Sequence, residues 1–414
     1  MAKFEKANSV GEWLEQRLNI KAINKVMMTE YWIPKDINFL WAMGVLLATT
    51  FTILVISGLF LMMYYKPDIN LAFDSVNYTI MQEVAFGWLF RHIHGVAASV
   101  IFLIIYIHML TGIYYGSYKQ GREMIWISGM LLFVTFSAAG FSGYMLPWGQ
   151  MSYWAAMVIT NLFGGVPVIG DALVVWIRGD FNVADATLTR FFMLHVFLLP
   201  IAIMGLIGLH FYTLRIPHVN NQSSEDFDFD AEAEKYLSGN KKESKVIPFW
   251  PVFISKDLAV LGVFLIFYFY LVFFHYSFAM DPVNFDPADP MVTPAHIYPE
   301  WYFLWSYEVL RGFFFDIAGI KAFDIGLIAF AFANGIFFVL PWLDRDNKIL
   351  PAHKRPLFFI WFWLLVVDLI VLTVYGKLPP TGTNAWVGFF AAVAFILLFV
   401  LLPVITKLDQ KRRG

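Results

Sequence analysis

Eight apolar stretches, at about residues 40–64, 92–115, 125–146, 191–214, 258–279, 320–341, 357–376 and 385–406, dominate this 414-residue sequence. Each is close to the roughly 20 residues of helix that cross a hydrocarbon core about 30 Å thick. In lipid the backbone must satisfy its own hydrogen bonds, so such stretches fold as transmembrane helices. The fold class is therefore all-α, an integral membrane protein of eight transmembrane helices. An even number of spans puts both chain ends on one side. Taking that side as cytoplasmic leaves only seven of the 29 Lys and Arg outside, so the positive-inside rule predicts cytoplasmic N- and C-termini.

Scattered basic residues and a net charge of −2 leave no stripe for nucleic acid. The absence of cysteine excludes disulfides, thiolate ligation of iron–sulfur clusters and covalent haem attachment within this chain. Residues 1–39 lack the pattern of a cleaved signal peptide. In that segment Val10, Trp13, Leu14, Leu18, Ile20 and Ile23 recur at helical spacing. They predict an amphipathic helix that either lies on the membrane surface or caps the bundle. The connections at 147–190 and 280–319 are long and rich in aromatic residues, which suits short interfacial helices. The connection at 216–257 carries an acidic, Ser-rich stretch and reads as a solvated insertion.

Ionisable groups inside a membrane mark function by default. The second span holds His94 and His108, and the fourth holds His195 and His210. Fourteen residues fall about 40° short of four helical turns, and fifteen overshoot by about 60°, over a rise of about 21 to 22 Å. Each pair therefore lies broadly on one face, with one His near either membrane surface. Both spans run in the same direction, so His94 matches His195 in depth, and His108 matches His210. Facing imidazoles at two depths suit bis-histidine ligation of two haems, which fills both axial positions and favours electron transfer. A single metal ion would instead gather several ligands at one depth. His92 points about 100° per residue away from these positions and is left out of the ligand set.

Gly44 and Gly58 in the first span, and Gly129 and Gly143 in the third, repeat the fourteen-residue interval. Glycine weakens a helix by about 1 kcal/mol relative to alanine, so the repeat needs a reason. Missing side chains would admit the edge of a flat porphyrin; close helix packing of small residues is the alternative. Arg91 and Arg190 lie at the outer ends of the histidine helices, placed either to pair with haem propionates or to reach lipid headgroups.

The segments "RHIHG" to "YIHMLTGIYYG", "SGYMLPWGQMSYWAAMVITNLFGGVPVIG", "DATLTRFFMLH" and "PEWYFLWSYEVLR" together resemble the bacterial cytochrome b family of quinol:cytochrome c oxidoreductase (cytochrome bc) complexes. The resemblance covers essentially the whole chain. It implies a haem-binding four-helix bundle over 40–215, after a surface segment at 1–39. The connection at 216–257 then leads to four further helices over 258–414. It also implies two non-covalent b haems: a low-potential one on His94 and His195 near the outer face, and a high-potential one on His108 and His210 near the cytoplasm. Quinol would be oxidised at an outer site carrying Glu300, Tyr144 and Tyr307, its approach stiffened by Pro294 and Pro299. Quinone would be reduced at an inner site using Arg215 and Asp257.

The implied activity is a proton-translocating Q cycle. Its partners would be a Rieske iron–sulfur protein, a c-type cytochrome subunit, quinone and membrane lipid, in a homodimer in a bacterial cytoplasmic membrane. Two features depart from the respiratory pattern: Arg215 stands where those forms usually have His, and the fourth-span interval is fifteen instead of fourteen. Both resemble the photosynthetic cytochrome bf relative and some menaquinol-oxidising forms, which favours menaquinone over ubiquinone. Ala155 stands where the family usually has Gly, which predicts weak binding of methoxyacrylate-type inhibitors. Asp368, an acid within the seventh span, has no assigned role. A dihaem anchor subunit of a dehydrogenase would leave "PEWY" unexplained, and a proton-relaying transporter would contain no haem.

Overall fold

The computed structural model describes residues 8–18, 30–278 and 280–413. A short helix, α1 (Val10–Leu18), comes first and leaves Val10 and Trp13 exposed, as a helix lying on lipid would. The expected Ile20 and Ile23 lie outside the described residues. Eight helices among those described are long and apolar enough to cross a membrane: α2 (Phe39–Met62), α3 (Gly87–Tyr115), α4 (Glu123–Met145), α7 (Asp185–Arg215), α9 (Phe249–Phe274), α11 (Ala322–Leu343), α12 (Pro356–Lys377) and α13 (Thr383–Arg413). Several run past their apolar stretches, because backbone hydrogen bonding continues beyond the hydrocarbon. The connection after α4 forms α5 (Gln150–Leu162) and α6 (Gly170–Arg178), and the connection after α9 forms α10 (Leu304–Arg311), as the aromatic runs predict.

The acidic connection after α7 is more ordered than its composition suggests. It forms α8 (Phe229–Leu237), N-capped by the Asp228 carboxylate, and a strand, β2 (Val246–Pro248). That strand pairs antiparallel with β1 (Trp32–Pro34), with Trp32 opposite Pro248. Asn220 and Asn221 are buried there, and Asn220 donates to the Tyr115 carbonyl at 2.9 Å. Lys35 reaches the carbonyls of Lys241 and Lys242, and Arg122 that of Pro217. These contacts gather the segment before α2 and the α3–α4 and α7–α9 connections at one end of the bundle, called here the basic end. At the opposite end Gln150 donates to Val292, Ser152 to Asn284, and Tyr65 to the Leu146 carbonyl.

Helix α2 packs on α3, α4 on α7, and α12 on both α13 and α10. One buried cluster runs from Ile101 and Phe133 through Trp305 and Phe337 to Trp361 and Phe395, so it joins α3 and α4 to the last three spans. In lipid such contacts stabilise by close packing, since water exclusion between helices is weak. The outward ridges, with Val263, Ile266, Val367 and Val404 exposed, face where lipid would be.

Candidate functional site

Helices α3 and α7 bring the four histidines together in two pairs. The ring centres of His94 and His195 are 6.1 Å apart with planes at 77°, and those of His108 and His210 are 6.4 Å apart at 73°. An imidazole nitrogen sits about 2 Å from a bound metal and about 1 Å from its own ring centre, so two rings on opposite sides of one metal have centres about 6 Å apart. Both pairs meet that distance. Among the described residues no group of three or more His, Cys, Asp or Glu could hold a metal ion. Each pair offers two nitrogens facing one another, an arrangement that suits the two axial positions of a metal held by a macrocycle, as in haem.

The polar surroundings set the tautomer. Ser57 Oγ donates to the Ile53 carbonyl at 2.6 Å and so presents its lone pair to His94 Nδ1 at 3.0 Å. Ser128 does the same between the Ile125 carbonyl at 2.9 Å and His210 Nδ1 at 2.9 Å. His195 Nδ1 lies 2.9 Å from the Ala139 carbonyl, with Ser142 Oγ beside it. An acceptor at Nδ1 keeps the proton there and leaves the Nε2 lone pair for a metal. Sequence reasoning missed these serines. Their signal is a thrice-repeated Ser-Gly at 57–58, 128–129 and 142–143.

Three of the four glycines lie directly against the imidazoles. A Cβ on Gly58 would stand 3.2 Å from His94 Cε1, one on Gly129 3.3 Å from His210 Cε1, and one on Gly143 would overlap the His195 ring. Three glycines thus make room for the paired imidazoles. Gly44 is different: it follows Met43 instead of a serine, and a Cβ there would meet nothing within 4 Å.

A cavity of about 270 Å³ extends from His94 and His195 to Glu300, lined also by Arg91, Tyr144 and Tyr302. Glu300 Oε1 is buried with no hydrogen-bond partner. Burial pushes its carboxyl up to about 8, because the charged form loses water and gains no compensating cation. Tyr302, another residue not anticipated, stacks on Phe102 at 3.8 Å, and its carbonyl accepts from Tyr106. Tyr307 does not line this cavity; its hydroxyl donates to the Ile297 carbonyl at 3.1 Å and its ring lies under Arg311. Arg190 is likewise elsewhere, donating to the Trp176 carbonyl and packing over Gly179, since its long side chain folds back on the loop before α7. Ala155 is buried in the packing of α5 and forms no part of the cavity wall. At the basic end the Arg215 guanidinium stacks on Tyr31 at 3.7 Å, and Asp257 is buried in the first turn of α9.

Two family models match, one described as cytochrome b/b6/petB over residues 28–217 and the other as cytochrome b(C-terminal)/b6/petD over residues 287–408. The chain is 39% identical over 407 residues to the cytochrome b of Rickettsia conorii, covering 98% of this chain and 96% of that one. It is 38% identical over 421 residues to the cytochrome b of Rhodobacter capsulatus, covering 98% and 93%. A chain of a solved hyperthermophilic respiratory complex III superposes with a TM-score of 0.88 at 37% identity, over 97% of this chain and all of that one.

Proposed function

Since the chain belongs to the cytochrome b family, as a subunit of a complex III-type quinol:cytochrome c oxidoreductase, we propose that it oxidises quinol in the cavity at Glu300 and reduces quinone near Arg215 and Asp257. The observation that carries this reading is the pair of facing imidazoles at each of two depths, with the cavity leading from one pair to a buried carboxyl. When bound, two b haems supply a one-electron path between the two depths: low-potential at His94 and His195, high-potential at His108 and His210. The positive-inside count places the basic end in the cytoplasm, so the Glu300 cavity opens outside.

Glu300 accepts a quinol proton. Its buried carboxyl has proton affinity near working pH, which suits a group that must both take and release a proton. Tyr144 and Tyr302 shape the same cavity, and Tyr307, through Ile297 and Arg311, braces the segment that carries Glu300. Arg91 lies beside the His94 pair as a cation for propionates. Gly44 leaves open space at the corresponding place on α2. At the other surface Asp257 and Arg215 deliver protons and charge to quinone. One quinol electron leaves to a Rieske iron–sulfur protein and on to a c-type cytochrome subunit, and the other crosses the membrane in a Q cycle. The complex is a homodimer in a bacterial cytoplasmic membrane. Arg215 and the fifteen-residue interval favour menaquinone over ubiquinone.

A redox titration of the reduced-minus-oxidised spectrum of the purified complex tests the core of this reading. Two b-type components of different potential are expected, and their absence would overturn it. The quinone that copurifies decides the substrate, with ubiquinone alone counting against the menaquinone assignment.

A further inference from the structure

The unequal histidine intervals have a structural answer in α7. Its Leu194–Leu198 stretch is π-helical, and the Leu199 N–H closes an i→i+5 bond to the Leu194 carbonyl. A π-turn of this kind takes one extra residue into an α-helix and leaves the downstream turns in place. Fifteen residues from His195 to His210 therefore place the two rings as fourteen would in plain α-helix. Fourteen is the interval from His94 to His108 on α3, and from Gly129 to Gly143 on α4. Gly143 faces His195, and Gly129 faces His210. Without the extra turn His195 would sit about 100° away from Gly143 and from His94.

Pro200 supplies the cause. It has no N–H for the Val196 carbonyl, and a proline ring crowds the carbonyl four residues before it, so the chain widens just upstream. We propose that the π-turn at Leu194–Leu198, opened by Pro200, is a register device that sets His195 alone into its ligand position, leaving His210 untouched. This rests on the two-haem reading and makes Pro200 a positioning residue for the Glu300-side haem.

The test deletes one lipid-facing residue from either histidine helix: Phe197, inside the π-turn of α7, or Leu103, in the uninterrupted α3. Deleting Phe197 together with Pro200→Leu removes both the surplus residue and the proline that opens the turn, so the purified complex should keep two haems per cytochrome b chain. Deleting Leu103 shortens a correct interval and should cost one of the two. Loss of a haem from the combined Phe197 and Pro200 variant, or its failure to accumulate when wild type does, would overturn the proposal. Pro200→Leu alone should shift the midpoint of the Glu300-side haem and leave the other in place; an unmoved midpoint would remove proline from the account. A wild-type complex without b haems would instead end the two-haem reading, and the register device with it.

Discussion

At the scale of single residues, the histidines were legible because ionisable groups in apolar helices stand out, and their intervals match a helix face. Their seating was not legible, since it depends on which neighbouring helix faces them. Glycine on one helix and imidazole on another meet only in three dimensions. Gly143→Val makes the expected cost concrete: its added side chain would occupy the place of the His195 ring. Overpacking of a filled site costs about 1–3 kcal/mol. The expected result is loss of the haem nearer Glu300 with the other retained, read from the redox-resolved spectrum. Glu300 titrates where activity can report it. Its carboxyl, pushed up to about 8 by burial, is mostly protonated at neutral pH and ionises as pH rises through that value. A proton acceptor must be ionised, so quinol oxidation should climb through about pH 8. Glu300→Gln should lower the rate about 10²- to 10⁴-fold, the usual contribution of a positioned base, and flatten that limb while both haems remain. A variant with the same pH limb would clear Glu300 of the role.

Among elements, the spans came from length and apolarity, and the aromatic runs marked the short helices at the opposite end. The π-turn in α7 was not readable in this way, because a single proline in a membrane helix can bend, break or widen it, and only the fixed neighbours select among these. Helix α10 depends on a similar close fit. Arg311 holds it to α12 through the carbonyls of Tyr375 and Leu378 and pairs with Glu308 at 2.5 Å. The Glu308 carboxylate is buried against Gly388 of α13, where a Cβ would overlap it. Gly388→Ala should therefore push α10 away from α13 and loosen the segment that carries Glu300. Expected are slower quinol oxidation with unchanged haem content, and earlier thermal inactivation. Unchanged turnover would show that α10 tolerates the shift.

For the whole molecule, the sequence predicted eight spans but not the contacts that fasten the first four to the rest. At the basic end Asp344 accepts two bonds from Arg355, at 2.7 and 2.8 Å, and one from Tyr118 at 2.6 Å, with Lys119 at 3.1 Å. Asp346 adds Arg355 at 3.1 Å and meets Arg413. The α3–α4 connection, the α11–α12 connection and the end of α13 thus close on one buried ionic cluster. Burial alone would raise the Asp344 carboxyl, but Arg355 and Lys119 outweigh it and hold the group below its ordinary range. The stabilisation is consequently present above the ordinary carboxylate pKa and is lost as pH falls through the lower folded value. None of this was readable beforehand, because a Lys in one loop and an Asp more than two hundred residues later look like ordinary surface charge. Asp344→Asn removes the carboxylate that Arg355 and Lys119 share and leaves Asp346 as the remaining counter-charge, so the loss should approach from below the cost of a broken buried pair, about 3–5 kcal/mol. Such a variant should assemble with both haems and then unfold at lower temperature in detergent, with bleaching of the haem bands. Replacing Lys235, whose distant partner Glu243 is exposed, should leave that temperature unchanged. Equal melting of the two variants would mean that packing between the helices, and not the buried charges, holds the two parts together.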